Sequence, residues 1–172
     1  VYSTALSWRL GRKTSTCSTA KATSASSASA SSSVESVSSS TSGETIEITP
    51  ARAGYVSDVI TKGKQAGIND DGILAALMTI LQESRLNMYA NSGNPESLEL
   101  PHDAVGSDHD SVGLFQQRDF WGSTVDRMNA QTSAGMFFDR LGPWMADHPG
   151  ASLGEAAQGV QGSNFPDAYD QW

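Results

Sequence analysis

The stretch Asn69-Asp70-Asp71-Gly72-Ile73-Leu74-Ala75-Ala76-Leu77-Met78-Thr79-Ile80-Leu81-Gln82-Glu83-Ser84 decides the fold class. Ile73, Leu74, Leu77, Ile80 and Leu81 recur at intervals of three and four, which gathers them on one face of a 3.6-residue helix. Asn69 or Asp70 supplies an N-cap, a side-chain oxygen that satisfies a free amide of the first turn. The spacing predicts a helix over residues 71–84, apolar enough to be the central core element. Upstream, Thr49-Pro50 opens another helix: Thr caps it, and Pro lacks only an amide that would be unpaired there anyway. Val56, Val59, Ile60 and Gly63 share its inner face, and Gly67 ends it. Downstream, helical periodicity returns over 124–128, then at Met136, Phe137 and Leu141, and again at Leu153, Ala157 and Val160. Residues 87–111 break into Asn, Ser, Gly, Pro and Asp, a long polar excursion that reads as a loop or a small irregular hairpin. The expected class is mostly α, with four to six helices around one core and at most a small β element.

Composition divides the 172 residues in two. Residues 14–42 hold 14 Ser, 5 Thr and 5 Ala, side chains too small to offset the entropy of an ordered chain. Residues 1–45 are therefore expected to form a disordered Ser/Ala/Thr-rich tail or linker, and residues 46–172 the folded domain. On this boundary, removal of 1–45 leaves the domain's stability unchanged. The tail carries 4 basic and 2 acidic side chains and the domain 7 and 17, which leaves no basic stripe to neutralise phosphates and excludes nucleic acid as a partner. The apolar run 5–8 is interrupted by Ser7 and is far too short for a membrane span. Cys17, the only cysteine, excludes an internal disulfide framework and reads as a spectator thiol. Val1 in place of Met leads to the expectation of a processed product or a segment of a longer protein.

Glu83 is the most informative residue. It stands at the C-terminal end of an apolar helix, where the helix dipole disfavours negative charge, and Ile80 and Leu86 add desolvation. Both raise a carboxyl pKa, and a carboxyl still protonated near neutrality can protonate a glycosidic oxygen as its bond breaks.

Downstream of Gln82-Glu83-Ser84 comes Asp110-Ser111-Val112-Gly113-Leu114-Phe115-Gln116-Gln117-Arg118, then Trp121-Gly122, Phe137-Phe138, Val160-Gln161-Gly162-Ser163 and Tyr169. A Glu-Ser pair ending a helix, followed by a Gly-Leu-Phe-Gln strip, resembles the lysozyme-like superfamily of goose-type lysozymes and soluble lytic transglycosylases. The longer pattern is similar to the version in actinobacterial and phage cell-wall hydrolases, and it covers residues 50–172. The resemblance implies a single lysozyme-like domain that cleaves the β-1,4 bond between N-acetylmuramic acid and N-acetylglucosamine in peptidoglycan glycan strands. It implies Glu83 as catalytic acid, no cofactor, an extracellular or wall-facing location, and further wall-hydrolase, membrane-anchor or virion modules outside this stretch. It also implies a sugar-binding wall built from Ser84, Gly113, Leu114, Phe115, Gln116 and Gln117. Gly113 would let a glycan approach the backbone, and the Gln116 amide can both donate and accept. Leu114 and Phe115 are, by residue type, core rather than ligand-facing. Trp121 could stack on a sugar ring. The pattern departs from the superfamily in one place: Val160-Gln161 stands where a Tyr-Asn pair is common. Gln161 is then the candidate for the Asn role, and Tyr169 for the Tyr that steadies the acid.

Hydrolysis needs a second carboxylate, about 5–5.5 Å from the acid in retaining enzymes or 6.5–9.5 Å in inverting ones. Asp103, Asp108, Asp110 and Asp119 are the candidates, and Asp119, close behind the Gly113–Gln117 strip, is favoured. The other three lie in the polar excursion. A transglycosylase needs no such base, because the muramic acid hydroxyl itself attacks the anomeric carbon, so transglycosylation is the expected reaction. His102, Asp103, Asp108, His109 and Asp110 invite a metal reading, but Val112 and Asp119 occupy positions where a calcium loop needs other ligands, and no metal is expected. A non-catalytic glycan-binding or structural module is the competing class.

Overall fold

The structure, a computed structural model, describes residues 35–162 and 168–172. It opens with strands β1 (Ser36–Ser38) and β2 (Thr45–Glu47), paired antiparallel with Val37 opposite Ile46. Helices α1 (Pro50–Gln65) and α2 (Asp70–Ser84) follow, then β3 (Tyr89–Asn91), the short α3 (Pro95–Leu98) and β4 (Ala104–Gly106). A 3-10 turn (Asp119–Trp121) leads into α4 (Thr124–Arg127), α5 (Ala130–Asp147) and α6 (Leu153–Gln161). The chain is mostly helical, with two small two-stranded sheets.

The helix starts follow the caps read from the sequence. The Thr49 hydroxyl accepts from the Arg52 amide and Pro50 opens α1. The Asn69 side chain accepts from the Gly72 amide at 2.9 Å, and Asp70 and Asp71 place carboxylates where the α2 dipole favours them. α2 packs against α1, α5 and α6 and buries Ile73, Ala75, Ala76, Thr79, Ile80 and Leu81. Leu74, from the same periodic set, lies at the margin of that face and is 48% exposed. From the far side, Phe137, Phe138 and Leu141 of α5 fill the core, with Phe115 stacked on Phe137.

Within the polar excursion, β3 and β4 pair in parallel, Tyr89 opposite Ala104 and Asn91 opposite Gly106. A hairpin would have made them antiparallel; instead the connection through α3 brings the chain back in the same direction. The side chain of Asn91 is buried here and holds the next loop, donating to the carbonyls of Asp108 and Ser111 at 3.1 and 3.0 Å.

The expected boundary at residue 46 is too late. Residues 35–45 belong to the domain: β1 pairs with β2, Ile46 is buried, and the Ser40 amide donates to the Gln171 carbonyl at 2.8 Å. The Glu44 carboxylate accepts from Arg85 at 2.9 Å. The expectations for residues 1–34, including Cys17, lie outside the described residues, as does Ser163. A chain that begins at Ile46 is therefore expected to be less stable than one that begins at Glu35. The loss should be about 2 kcal/mol, from the exposed Ile46 and Val37 contacts and the bonds to Gln171. Thermal unfolding of the two chains checks this, and equal midpoints would restore the later boundary. No helix among the described residues is long and apolar enough to cross a membrane.

Candidate active site

Glu83 occupies the last turn of α2, which ends because Arg85 and Leu86 both turn left-handed, with φ of 51° and 61°. Its half-buried carboxyl is met from two other segments. The hydroxyl of the fully buried Tyr169 donates to Glu83 Oε1. The Gln161 side chain, at the end of α6, also donates to the carboxyl, and its Nε2 reaches the Phe115 carbonyl at 2.7 Å. Desolvation raises the Glu83 carboxyl above its ordinary value, the Tyr169 and Gln161 donors oppose that rise, and the negative charge of Asp108 adds to it. Glu83, Gln161 and Tyr169 are thus brought together.

The Gly113–Gln117 strip is a tight turn closed by paired bonds between Val112 and Gln117, each amide reaching the other's carbonyl at 3.1 Å. Gly113 and Gln116 both take positive φ to make it, 80° and 48°. Most of its side chains turn into the protein. Leu114 and Phe115 are fully buried, and Gln117 is buried with its Nε2 on the Ser133 carbonyl at 3.1 Å. A Cβ on Gly113 would stand 2.1 Å from the Arg127 carbonyl oxygen, so that face is closed by the protein's own backbone rather than open to a glycan. Gln116 is half-buried and donates to the Gly113 carbonyl at 2.9 Å. The strip reaches the acid indirectly, through the Phe115 carbonyl that holds Gln161.

Two other expected contact residues are engaged elsewhere. Ser84 is buried, and its hydroxyl returns to the Ile80 carbonyl at 2.9 Å, one turn back in its own helix. Trp121 is buried too, and the Arg140 guanidinium lies 3.5 Å above its ring, where a sugar would have had to stack.

The four aspartates separate by what they touch. Asp103 accepts from the Met88 amide at 2.8 Å and from Tyr55, whose hydroxyl is pushed up to about 12 by burial and by this carboxylate. Asp110 pairs with Arg118 and accepts from the Asp119 amide at 2.6 Å; burial works to raise its carboxyl, and these donors outweigh it and hold it low. Asp119 is exposed and belongs to that cluster, its charge acting on Arg127. The carboxylate whose charge is felt at Glu83 is Asp108, not the favoured Asp119. Asp108 is largely exposed and bonded to His109 Nδ1 at 2.7 Å, with His109 in the left-handed region at φ 48°. Asn91, which holds the Asp108 loop, had no signal in the sequence beyond its place in a polar excursion.

Among the described residues no three His, Cys, Asp or Glu side chains converge to hold a metal ion. A groove of about 590 Å³ between the β1–β2 hairpin, α1 and α2 is lined by apolar residues such as Val56, Ile60, Leu77 and Leu81, and by neither Glu83, Gln161 nor Tyr169. No protein-family model matches the chain, and no curated protein matches it.

Proposed function

We propose that the domain is lysozyme-like and cleaves the β-1,4 bond between N-acetylmuramic acid and N-acetylglucosamine in peptidoglycan glycan strands, with Glu83 as general acid. The observation that carries this reading is the Glu83 carboxyl itself, raised by desolvation and held by the Tyr169 hydroxyl and the Gln161 amide. An oriented carboxyl that holds its proton more tightly than an ordinary one suits departure of a sugar oxygen. The reading places the protein outside the cell or facing the wall.

Transglycosylation is the favoured course. Glu83 gives its proton to the glycosidic oxygen as the bond to the anomeric carbon breaks. The resulting carboxylate then takes the proton of the muramic acid 6-hydroxyl as that oxygen bonds to the same carbon, leaving a 1,6-anhydro end. Asp103 and Asp110 are committed to their own amide and guanidinium partners, which leaves no rigidly held second base among them. Asp108 supports a second reading, hydrolysis, because its charge acts on Glu83 and it could draw a proton from water. Digestion of purified peptidoglycan followed by product masses tests both. Anhydro ends mark transglycosylation. Reducing ends, lost in Asp108→Asn, mark hydrolysis, and absence of cleavage overturns the proposal in favour of a non-catalytic glycan-binding module.

Tyr169→Phe isolates the hydrogen bond. Losing a donor to the charged form moves the Glu83 carboxyl further up, so the alkaline limb of the activity profile should shift upward by roughly half a pH unit or more. Turnover should fall several-fold as the acid loses its orientation. An unmoved limb would separate Tyr169 from the acid.

A further inference from the structure

Residues 168–172 form bends and turns, without a helix or strand of their own to place them. Gln171 fixes them through its carbonyl and both polar atoms of its side chain. Its carbonyl accepts from the Ser40 amide at 2.8 Å and the Ser40 hydroxyl at 2.9 Å. Its Oε1 accepts from the Ser39 hydroxyl at 3.0 Å. Its Nε2 donates to Gln82 Oε1 at 2.6 Å and to the Ala168 carbonyl at 3.0 Å. Gln82 Oε1 also accepts from Trp172 Nε1 at 3.0 Å. Gln82 immediately precedes Glu83, and Gln171 lies two residues beyond Tyr169. The hairpin, the end of α2 and the segment bearing Tyr169 therefore meet at one pair of amide side chains.

We propose that Gln82, Gln171 and the β1–β2 hairpin form a clasp that positions Tyr169 against Glu83. Gln82 and Gln171 are positioning residues: neither is bonded to the Glu83 carboxyl, and both act through the segment that is. The role in catalysis rests on Glu83 being the acid, whereas the clasp itself can be read without turnover. The titratable groups acting on Glu83 are Tyr169 and Asp108, and Gln161 adds an uncharged donor.

Gln82→Ala removes the acceptor shared by Gln171 and Trp172 on a half-buried side chain, a change the helix tolerates. Loosening the segment changes both the access of water to the carboxyl and its bond to Tyr169. The experiment follows the Glu83 side-chain carboxyl carbon by NMR against pH in the full chain. In Gln82→Ala its midpoint should shift from that of the unmodified chain by roughly half a unit or more. If cleavage is observed, Gln82→Ala should lower turnover roughly 10-fold. A Gln82→Ala midpoint equal to that of the unmodified chain overturns the clasp. Inactivity toward peptidoglycan with the expected NMR shifts overturns the proposed activity and leaves the clasp standing.

Discussion

Glu83→Gln should reduce glycan cleavage by about 10²–10⁴-fold while the domain stays folded, because the amide keeps the shape of the carboxyl and still accepts from Tyr169 but has no proton to give. The same substitution should make the domain more stable at neutral pH. The folded-state carboxyl titrates above its ordinary value, so the folded chain holds that proton more tightly than the unfolded one. The resulting stability is fully present below the ordinary carboxyl value and is lost as pH rises through the folded value. The native side chain therefore loses stability progressively as pH rises above the ordinary carboxyl value, and Gln has nothing to lose. Melting curves at pH 7 and near pH 3 should show a gain for the variant in the first and none in the second. A folded Glu83→Gln protein with near-native turnover would remove Glu83 from the chemistry.

Gly113→Ala should cost about 3 kcal/mol or more. The left-handed φ of 80° strains any L side chain by about 1–2 kcal/mol. The new methyl would also meet the Arg127 carbonyl oxygen at 2.1 Å, and displacing packed backbone adds about 1–3 kcal/mol. Arg127 has little room to yield, since its guanidinium is held by the carbonyls of Asp110 and Gln117, both at 3.0 Å. The variant should melt well below the native chain. Gly54→Ala is the contrast: Gly54 lies inside α1 with nothing within 4 Å of a new Cβ, and the change should stabilise by roughly 0.5–1 kcal/mol. A loss under 1 kcal/mol for Gly113→Ala would mean that the Arg127 segment moves freely.

Helices were legible wherever periodicity and caps agreed. Asn69, Thr49-Pro50 and the Ile73-to-Leu81 spacing mark α1 and α2 because capping and amphipathicity are local properties. β1 was not legible. Its three residues, Ser36, Val37 and Ser38, hold one apolar side chain inside a Ser-rich tract, and what orders them is Ile46 and the distant Gln171. That Gln161 and Tyr169 would stand beside Glu83 was an expectation of the family resemblance, and the three side chains do meet. The surrounding wall was not legible, since Gly113, Trp121 and Ser84 each carry a chemistry suited to sugars that is used inside the protein. Whether an aromatic face is open or already covered by Arg140 depends on a helix about twenty residues further on, which no local pattern reveals. The exchange of Asp119 for Asp108 has the same origin: the loop is held by Asn91 from another strand.

The clasp closes very long stretches of chain, 131 residues between Ser40 and Gln171 and 86 between Glu83 and Tyr169. Helices collapse around neighbours in sequence first, and contacts across such separations carry the largest loop-closure entropy and form late. During synthesis α1, α2 and α5 can assemble while residues 168–172 are still to come. The growing chain thus acquires its core well before the Glu83 contact is complete: a molecule arrested short of Tyr169 would hold a helical bundle in which Glu83 still lacks its Tyr169 partner.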